Sequence, residues 1–344
     1  SILGSARRSH TLLLPRRRCQ IHLLPQIHLP HRRRRWERRC VALAPVGSLG
    51  MQRADGEILA AQAAEGFGVP FTLSTMSICS IEEVARNTSK PFWFQLYVMR
   101  DHDFAKRLVE RAKAAQCSAL VLTLDLQILG QRHADIRNGL SIPLKIKLSN
   151  LFDLLSKPSW CYQMARTKNR TFGNVMGHVK DITNLNSLTK WVQDQFDTRL
   201  NWDDVKRIKD WWGGKLIIKG IMDPDDAKMA QKCGADALVV SNHGGRQLDG
   251  VNSSISTLPE IKKAVSNMEV LMDGGISSGQ DILKAIAMGA EGVMIGRSFV
   301  YGLSAGGKEG VTKSLEILNK ELDMTMALCG RRDIKYVGSC LLYT

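Results

Sequence analysis

Short runs of apolar and β-branched residues recur along the chain from residue 41 onward, and longer amphipathic stretches separate them. The apolar residues within each run are continuous rather than alternating. This is typical of strands buried on both faces, as in parallel sheets covered by helices. The pattern predicts eight strands, at residues 41–46, 71–75, 92–98, 119–125, 215–220, 237–242, 269–275 and 292–297.

The stretches between these runs carry signals that predict helix starts. Ser80 with Glu83, and Thr257 with Glu260, have the spacing of capping boxes. Asp223 directly before Pro224 reads as an N-cap followed by proline in the first helical turn. Apolar positions at helical spacing predict a further helix over residues 103–116.

The spacing of the strands predicts the fold. Successive strands start 21 to 32 residues apart, except for one interval of 96 residues between the fourth and fifth. Eight βα units of similar size favour an α/β TIM (β/α)8 barrel over a doubly wound sheet. Residues 126–212 then form a long insertion on the catalytic face, for which a lid, an oligomer contact and a membrane-surface patch are all open interpretations. The predicted barrel spans residues 41–330, and residues 331–344 form a C-terminal tail.

The charge of the chain is concentrated at its start. The net charge is +15, but residues 1–40 contain eleven Arg and one Glu and carry +10 of it, which leaves +5 for the rest. The body is therefore only mildly basic, and no nucleic-acid partner is expected for it. No run of eighteen apolar residues predicts a membrane-spanning helix, although peripheral contact stays open.

Residues 1–40 are rich in Arg, His, Leu and Pro and show neither helical nor strand periodicity. A mitochondrial transit peptide and a nucleic-acid-binding tail are two functional interpretations. The prolines and the lack of interleaved aromatics favour a third, which is an unstructured segment or a wrongly joined gene start.

The eight cysteines show no C-x-x-C spacing, which argues against a zinc ribbon or a thioredoxin-like site. Their scatter through apolar segments predicts buried, reduced thiols in a cytoplasmic type of compartment.

Polar residues at the carboxyl ends of the predicted strands are the candidates for chemistry, because these ends face the active-site mouth of a barrel. A lysine inside the apolar run LIIKG is especially informative, since a buried ammonium costs several kcal/mol unless an anion pairs with it. These strand-end residues are Gln95, Tyr97, Thr123, Asp125, Lys219, Ser241, Asn242, His243, Asp273 and Arg297.

Glycines follow the seventh and eighth predicted strands, in DGGISSG at 273–279 and GVMIGRS at 292–298. Barrels bind phosphate groups at this position on backbone amides and a helix N-terminus. A tight turn is the structural alternative for either motif alone, but the pair together predicts a phosphorylated ligand.

The segment SNHGGRQLDG at 241–250 places His243 three residues before Arg246 in a glycine-rich loop. A histidine there can take a proton, and an arginine can bind a carboxylate through two parallel hydrogen bonds. Asp125 could hold the imidazole in one tautomer. Loop capping is the structural alternative for His243, but the convergence of several features on one face favours catalysis.

These motifs resemble the FMN-dependent 2-hydroxy acid dehydrogenases and oxidases. SNHGGRQLD is close to the active-site signature of that family, and the likeness extends through ALAPVG, TLSTMSICSIEEVA, FQLYV, LTLDLQILGQRHADIRNG, IIKG, MDGGISSG and GVMIGR. It covers residues 41–330, whereas residues 1–40 resemble nothing in the family. The respiratory L-lactate dehydrogenase branch is the most similar.

The resemblance implies an FMN site. Lys219 would lie at the N1 and O2 edge of the flavin, where a cation stabilises the anionic reduced form. Gly274, Gly275, Gly296 and Arg297 would hold the phosphate. The other residues expected around the cofactor are Pro45, Val46, Gly47, Ser74, Gln95, Thr123, Ser241 and Asp273.

The resemblance also implies a reaction. Arg132 and Arg246 would bind the carboxylate of a small 2-hydroxy acid, and Tyr97 would hydrogen-bond the substrate near its reacting carbon. His243 would act as the base, supported by Asp125. L-lactate oxidation to pyruvate, with a quinone-like acceptor, a peripheral membrane contact and a homotetramer, is expected.

The sequence departs from the family pattern in two places. The family has a longer helical segment before its first strand, with a tyrosine that contacts substrate and FMN, and residues 1–40 do not match it. The family usually has an arginine where this chain has Ser277, so weak FMN retention is expected. The alternatives are a truncated, catalytically impaired barrel, a glycolate-type oxidase that uses oxygen, and another phosphate-binding FMN barrel.

Overall fold

The computed structural model describes residues 40–128, 154–179 and 198–341, together with residues 130, 132, 133, 137, 138, 191, 194 and 195. Residues 1–39, most of residues 129–153 and 180–197, and residues 342–344 lie outside the described residues. The interpretations of the Arg-rich start and of much of the insertion therefore concern residues that the structure does not describe.

Eight parallel strands form one sheet in the order β1-β8-β7-β6-β5-β4-β3-β2. An isolated bridge between Leu43 and Phe71 brings the two ends of this order together, so the sheet closes into a barrel. The predicted TIM barrel is confirmed. The strands are β1 Val41–Leu43, β2 Thr72–Ser74, β3 Trp93–Tyr97, β4 Ala119–Thr123, β5 Leu216–Ile221, β6 Ala237–Val240, β7 Glu269–Met272 and β8 Gly292–Ile295.

Helices surround the barrel. Those described are α1 Leu49–Gln52, α2 Gly56–Phe67, α3 Ile81–Arg86, α4 His102–Ala114, α5 Pro158–Arg166, α6 Trp202–Trp212, α7 Pro224–Lys232, α8 Ser254–Ala264, α9 Gly279–Ala287 and α10 Arg297–Leu328. Helix α10 breaks at Gly307, which has φ 59° and ψ −135°. Two short 3-10 turns follow it, at Ile334–Tyr336 and Ser339–Leu341.

Two of the three predicted helix starts are confirmed. Ser80 and Glu83 form a capping box, and Asp223 caps the helix in which Pro224 lies in the first turn. The Thr257 prediction is wrong, because α8 begins at Ser254, after the extended Ser253, and Thr257 lies inside it. Thr257 Oγ1 instead donates to the Ser254 carbonyl, at 3.3 Å, as serine and threonine commonly do within helices.

The core has two layers. The inside of the barrel is filled by small and branched apolar side chains from alternate strand positions, and Trp93 is the largest of them. A larger layer lies between the strands and the surrounding helices. The insertion ends in α6, whose Val205, Ile208 and Trp212 are buried, so α6 is the barrel helix between β4 and β5.

Candidate active site

His243 and Asp125 meet at the mouth of the barrel. His243 follows β6 and Asp125 follows β4, and His243 Nδ1 lies 2.9 Å from Asp125 Oδ1. The burial of Asp125 raises the pKa of its carboxyl, but the His243 hydrogen bond and the Lys219 charge outweigh this and hold the pKa below its usual value. Asp125 is therefore ionised at neutral pH, and an Nδ1–H bond to it leaves Nε2 of the neutral imidazole as the proton acceptor.

The backbone around this pair is unusual. His243 has φ 57°, a left-handed conformation that non-glycine residues rarely adopt and that often marks active sites. Its amide donates to Ser241 Oγ at 3.1 Å, which fixes the start of the loop. On the other side, a Cβ at Gly220 would lie 2.7 Å from Asp125 Cβ. Only glycine at this position allows the aspartate to approach β5.

Lys219 is buried next to this pair. Its Nζ donates to Ser241 Oγ at 2.9 Å and lies 3.1 Å from Asp273 Oδ2, so β5, β6 and β7 converge on one ammonium. Burial lowers the pKa of Lys219, but the charges of Asp273 and Asp125 outweigh it, and the pKa lies above its usual value. The anion that the sequence implied for this lysine is therefore Asp273, together with Asp125.

Tyr97 ends β3 within the same electrostatic environment. Burial raises the pKa of its hydroxyl to about 12, against an opposing effect of Lys219 and a smaller supporting effect of Asp125. Arg132 also lowers it slightly. Tyr97 is consequently a neutral O–H donor throughout the physiological range.

Two loops that carry arginines are joined above the pair. Arg132 Nη2 donates to Gln247 Oε1 at 3.3 Å, and Gln247 Nε2 donates to the Ile128 and Asp125 carbonyls, at 3.0 and 3.4 Å. A Cβ at Gly130 would lie 2.7 Å from the Arg246 carbonyl oxygen, so glycine is needed for this contact. The loops after β4 and β6 therefore form one unit.

Ser74 ends β2 and is paired with Gln95 in the middle of β3, and Thr123 ends β4. Ser74 Oγ donates to Gln95 Oε1 at 3.1 Å, and all three residues are buried. Among the described residues, Gln95 Nε2 and Thr123 Oγ1 have no hydrogen-bond partner. Buried polar atoms are nearly always hydrogen-bonded. A group that binds here can therefore form hydrogen bonds with Gln95 Nε2 and Thr123 Oγ1.

The loops after β1, β7 and β8 complete the rim. Gly47 lies close to the loop after β2, because its added Cβ would be 3.3 Å from the Met76 carbonyl oxygen, and Pro45 and Val46 precede it half-buried. Gly274 and Gly275 have φ 86° and 83°. A Cβ at Gly275 or Gly296 would meet open space, and Arg297 Nη2 donates to the Gly244 carbonyl at 3.4 Å.

Sequence reasoning missed the residues that hold these groups in place. Gly220, Gly130 and Gln247 act through close approach or hydrogen bonds to residues far away in the chain. The local sequence marks Gly220 as a candidate, since it directly follows Lys219 at the end of an apolar run. Nothing in the local sequence marks Asn174, which lies between β4 and β5.

Metal binding and membrane spanning find no support in the described ranges. No group of three or more His, Cys, Asp or Glu side chains could hold a metal ion there. Within the same part of the chain, no helix combines the length and the apolar character that crossing a bilayer requires.

Comparison with known proteins decides the family. A family model described as FMN-dependent dehydrogenase matches residues 38–344. The chain belongs to the FMN-dependent dehydrogenase family. Its cofactor is FMN and it is an oxidoreductase that acts on 2-hydroxy acids, as the resemblance implied.

Several relatives in this family are named L-lactate dehydrogenase. Those of Haemophilus influenzae (strain PittEE) and Actinobacillus pleuropneumoniae (serotype 5b) are 47% and 46% identical over 294 residues, which are 85% of this chain and 77% of each relative. The Acinetobacter baylyi protein is 43% identical over 305 residues, 88% of this chain and 79% of the relative.

Solved FMN-dependent dehydrogenases share the fold. The monotopic membrane protein (S)-mandelate dehydrogenase has a TM-score of 0.84 at 34% identity, over 89% of this chain and 81% of that chain. A mandelate oxidase with (S)-mandelic acid has a TM-score of 0.69 at 36% identity, over 86% of this chain and 75% of that chain. A further structure, of a mandelate oxidase mutant, contains a monooxide FMN adduct.

The rim residues fit FMN. The orphaned Gln95 Nε2 and Thr123 Oγ1 suit the carbonyl and ring-nitrogen edge of a flavin, and the buried Lys219 suits the charge that its reduced form carries. The glycine backbone after β7 and β8, with Arg297, suits a phosphate, because no side chain would block the close approach of its oxygens.

Proposed function

We propose that this FMN-dependent dehydrogenase oxidises L-lactate to pyruvate and passes the electrons to a quinone-type acceptor. The observation that carries the proposal is the His243–Asp125 pair beside the buried Lys219, at the mouth of a barrel with two arginine-bearing loops. L-lactate is favoured over mandelate, because the relatives named L-lactate dehydrogenase are 43% to 47% identical whereas the mandelate enzymes are 32% to 36% identical.

The cofactor is proposed to bind at the strand ends. Ser74, Gln95 and Thr123, with the backbone at 45–47 and Ser241, would hold its ring system. Lys219, oriented by Asp273, would stabilise the negative charge of the reduced form. Gly274, Gly275, Gly296 and Arg297 would hold the phosphate. When bound, FMN supplies the two-electron acceptor for the oxidation.

The substrate is proposed to bind at the two arginine-bearing loops. Arg132 and Arg246 fix the carboxylate with paired, charge-assisted hydrogen bonds, which orients the reacting carbon. The neutral Tyr97 hydroxyl donates to the substrate oxygen. The bonds of Gln247 to Arg132 and to the Ile128 carbonyl hold together the two loops that carry these arginines.

His243 Nε2 is proposed to take the proton that leaves the substrate during oxidation. Asp125, which is ionised and bonded to Nδ1, selects the tautomer with a free Nε2 and then stabilises the imidazolium cation. The proton is thus held at Nε2 until the 2-oxo acid has left.

The test is anaerobic mixing of FMN-loaded protein with L-lactate, glycolate and L-mandelate while flavin absorbance is followed. L-lactate is expected to bleach the flavin fastest, and pyruvate is expected to accumulate in stoichiometric amount. Faster bleaching by glycolate or mandelate would reject the proposed substrate, and no bleaching by any of them would identify an impaired barrel.

The acceptor, the membrane contact and the assembly belong to the same proposal. The support for a peripheral contact at the cytoplasmic membrane face is the monotopic relative, together with the exposed Ile128, Leu155 and Tyr162, which are 70%, 70% and 60% exposed. Reoxidation by a soluble quinone faster than by oxygen would support the acceptor. Vesicle co-sedimentation tests the contact, and sedimentation velocity tests the proposed tetramer.

A further inference from the structure

Asn174 lies in the long segment between β4 and β5, distant from both strands along the chain. Its side chain is nevertheless fully buried. The neighbouring Gly173 lets this segment press against the loop after β2, because a Cβ there would lie 2.7 Å from the Ile78 carbonyl oxygen. The Gly173 amide donates to that same oxygen at 3.1 Å. This contact is therefore made by backbone atoms, and it requires a residue without a side chain at position 173.

The Asn174 amide binds the loop of residues 74–81 at several points. Its Nδ2 donates to Ser77 Oγ at 2.9 Å and lies 3.4 Å from the Ser74 and Thr75 carbonyl oxygens. Its Oδ1 accepts from the Ile81 amide at 3.0 Å. Both the donor and the acceptor half of one side chain thus hold a single loop.

This loop sets the orientation of Gln95. Ser74 Oγ donates to Gln95 Oε1, and Thr75 Oγ1 donates to the Gln95 carbonyl at 2.6 Å. Because the amide oxygen of Gln95 is occupied in this way, its Nε2 points away from the loop, and this is the buried donor without a partner among the described residues. Moving the loop would rotate that donor.

Asn174 is itself fixed from the outside of the barrel. Arg111 Nη1 donates to the Asn174 carbonyl at 3.0 Å, and Nη2 lies 3.3 Å from Asn174 Oδ1. The guanidinium also forms a bidentate pair with Glu82, at 2.7 and 2.8 Å. These bonds to Arg111 lower the pKa of the Glu82 carboxyl to about 2, so the ion pair persists across the working pH range.

We propose that Asn174 is a positioning residue for the flavin, which fixes the loop after β2 so that Gln95 Nε2 and Ser74 meet the ring system. The inference rests on the proposed flavin contacts of Ser74 and Gln95. It gives part of the long segment between β4 and β5 a role in cofactor binding. A purely structural asparagine would instead stabilise the protein with or without FMN.

The test compares FMN affinity with the stability of the apoprotein. Asn174→Ala and Asn174→Asp remove the donor to the loop, and the Asp variant keeps the shape and the acceptor. Thr167→Ala is the control, because Thr167 lies in the same segment and its Oγ1 donates to Asp55 Oδ1 at 2.7 Å, at the start of α2 and outside the loop of residues 74–81. Thermal unfolding of each apoprotein measures the structural effect.

Both Asn174 variants are expected to raise the FMN dissociation constant about tenfold more than Thr167→Ala does, and to shift the flavin absorbance bands. Equal FMN affinity in the Asn174 and Thr167 variants would overturn the proposal. If the Asn174 variants do not fold, Ser77→Ala is the substitute, because it removes the Oγ that accepts from Asn174 Nδ2 at 2.9 Å and donates to the Cys79 carbonyl at 2.7 Å. It is expected to give the same change in smaller measure, and an unchanged affinity there would also overturn the proposal.

A double-mutant cycle with Gln95→Leu separates this inference from the proposed function. If Asn174 acts through Gln95, the losses in FMN affinity are less than additive, whereas additive losses would reject the positioning role. A wild-type protein that binds FMN but is not bleached by L-lactate would reject the substrate proposal and leave the affinity comparison valid. Unchanged affinity in Gln95→Leu would reject the flavin contact on which the inference rests.

Discussion

The inside of the barrel and its mouth are built on opposite principles. Inside, Trp93, Val121, Ile217 and Leu271 pack as wholly apolar, buried side chains. At the mouth, one layer above, buried oxygen and nitrogen atoms of Gln95, Thr123, Asp125 and Asp273 have no partner among the described residues. An unsatisfied buried polar atom costs about 1–3 kcal/mol of folding free energy. The mouth therefore lowers the stability of the protein, whereas the packed interior raises it.

The difference shows which region is shaped by the cofactor. The interior is filled mainly by apolar side chains, which need no polar partner, whereas FMN can supply partners to the polar atoms of the mouth. FMN is therefore expected to raise the unfolding temperature of the protein, by an amount that grows with its concentration above the dissociation constant. Substitutions at the mouth should change function more than stability, and the largest such effect is expected at the base.

His243→Asn is expected to reduce the rate of flavin reduction by L-lactate about 10³-fold, because it removes the proton acceptor. Asparagine tolerates the left-handed φ of 57° better than most residues, so the backbone of the loop should be preserved. Stopped-flow absorbance under anaerobic conditions measures the rate. FMN affinity should change little.

His178→Gln is the control, because His178 lies in a surface groove against α4, with Phe104 and Arg111. It should reduce flavin at the wild-type rate. A His243→Asn enzyme that keeps more than a tenth of that rate would show that His243 is not the base.

Gly220→Ala is expected to reduce the same rate about 10²-fold. The new Cβ would lie 2.7 Å from Asp125 Cβ and Cγ, and displacing a catalytic group by about 1 Å costs a loss of this size. The measurement is again stopped-flow flavin reduction, together with thermal unfolding.

The Gly234→Ala variant separates the effect of the steric clash with Asp125 from the effect of backbone strain. Gly234 also has a positive φ, 77° against 101° for Gly220, but its Cβ would meet only Lys209 Cε at 3.9 Å. Both variants should lose about 1–2 kcal/mol of stability from the left-handed conformation. Equal losses of activity in the two would reject the steric argument at Asp125.

The interior of this fold could be predicted from sequence more completely than its mouth. Continuous apolar runs predict buried parallel strands because the hydrophobic effect depends on residue type and local order. Seven of the eight strands end earlier than predicted, whereas β5 extends one residue further, to Ile221. Strand β1 stops at Leu43, because the chain turns away through Pro45, which has no amide hydrogen to donate.

The rim was only partly predictable. Lys219, His243 and Asp125 could be found because polar residues interrupt or end apolar runs. Asn174 could not, since its partners Ile81 and Ser77 are 93 and 97 residues away and nothing local marks it. The residues that flank such a position in the sequence do not indicate that it approaches, or hydrogen-bonds to, a distant part of the chain.

A smaller effect is expected at the phosphate end of the mouth. Ser277 donates to Asp281 Oδ2 at 3.1 Å, and Ser298, at the start of α10, donates to the Ile276 carbonyl, so the loops after β7 and β8 adjoin here. Ser277→Arg is expected to tighten FMN binding about tenfold through one more charge-assisted contact. Fluorescence titration of the apoprotein measures the dissociation constant.

Ser277→Ala tests whether the serine itself contributes. It removes only the hydroxyl bond to Asp281, while three other donors remain on the same oxygen. FMN affinity should therefore stay at the wild-type value in this variant. An arginine variant that binds FMN no more tightly would place the phosphate away from residue 277.

The smallest expected effect concerns Tyr97 and alkaline pH. Its pKa is raised from 10 to about 12 in the folded protein, so the folded state favours the protonated hydroxyl more than the unfolded chain does. The contribution to stability is complete below pH 10 and is lost as pH rises from 10 towards 12, by ~1.4 kcal/mol per pH unit at most. Tyr97→Phe should remove this alkaline loss, measured as unfolding temperature against pH. Tyr301→Phe, at a tyrosine that is 69% exposed, should leave the profile unchanged, and identical profiles for the two variants would show that Tyr97 ionises as an ordinary surface phenol.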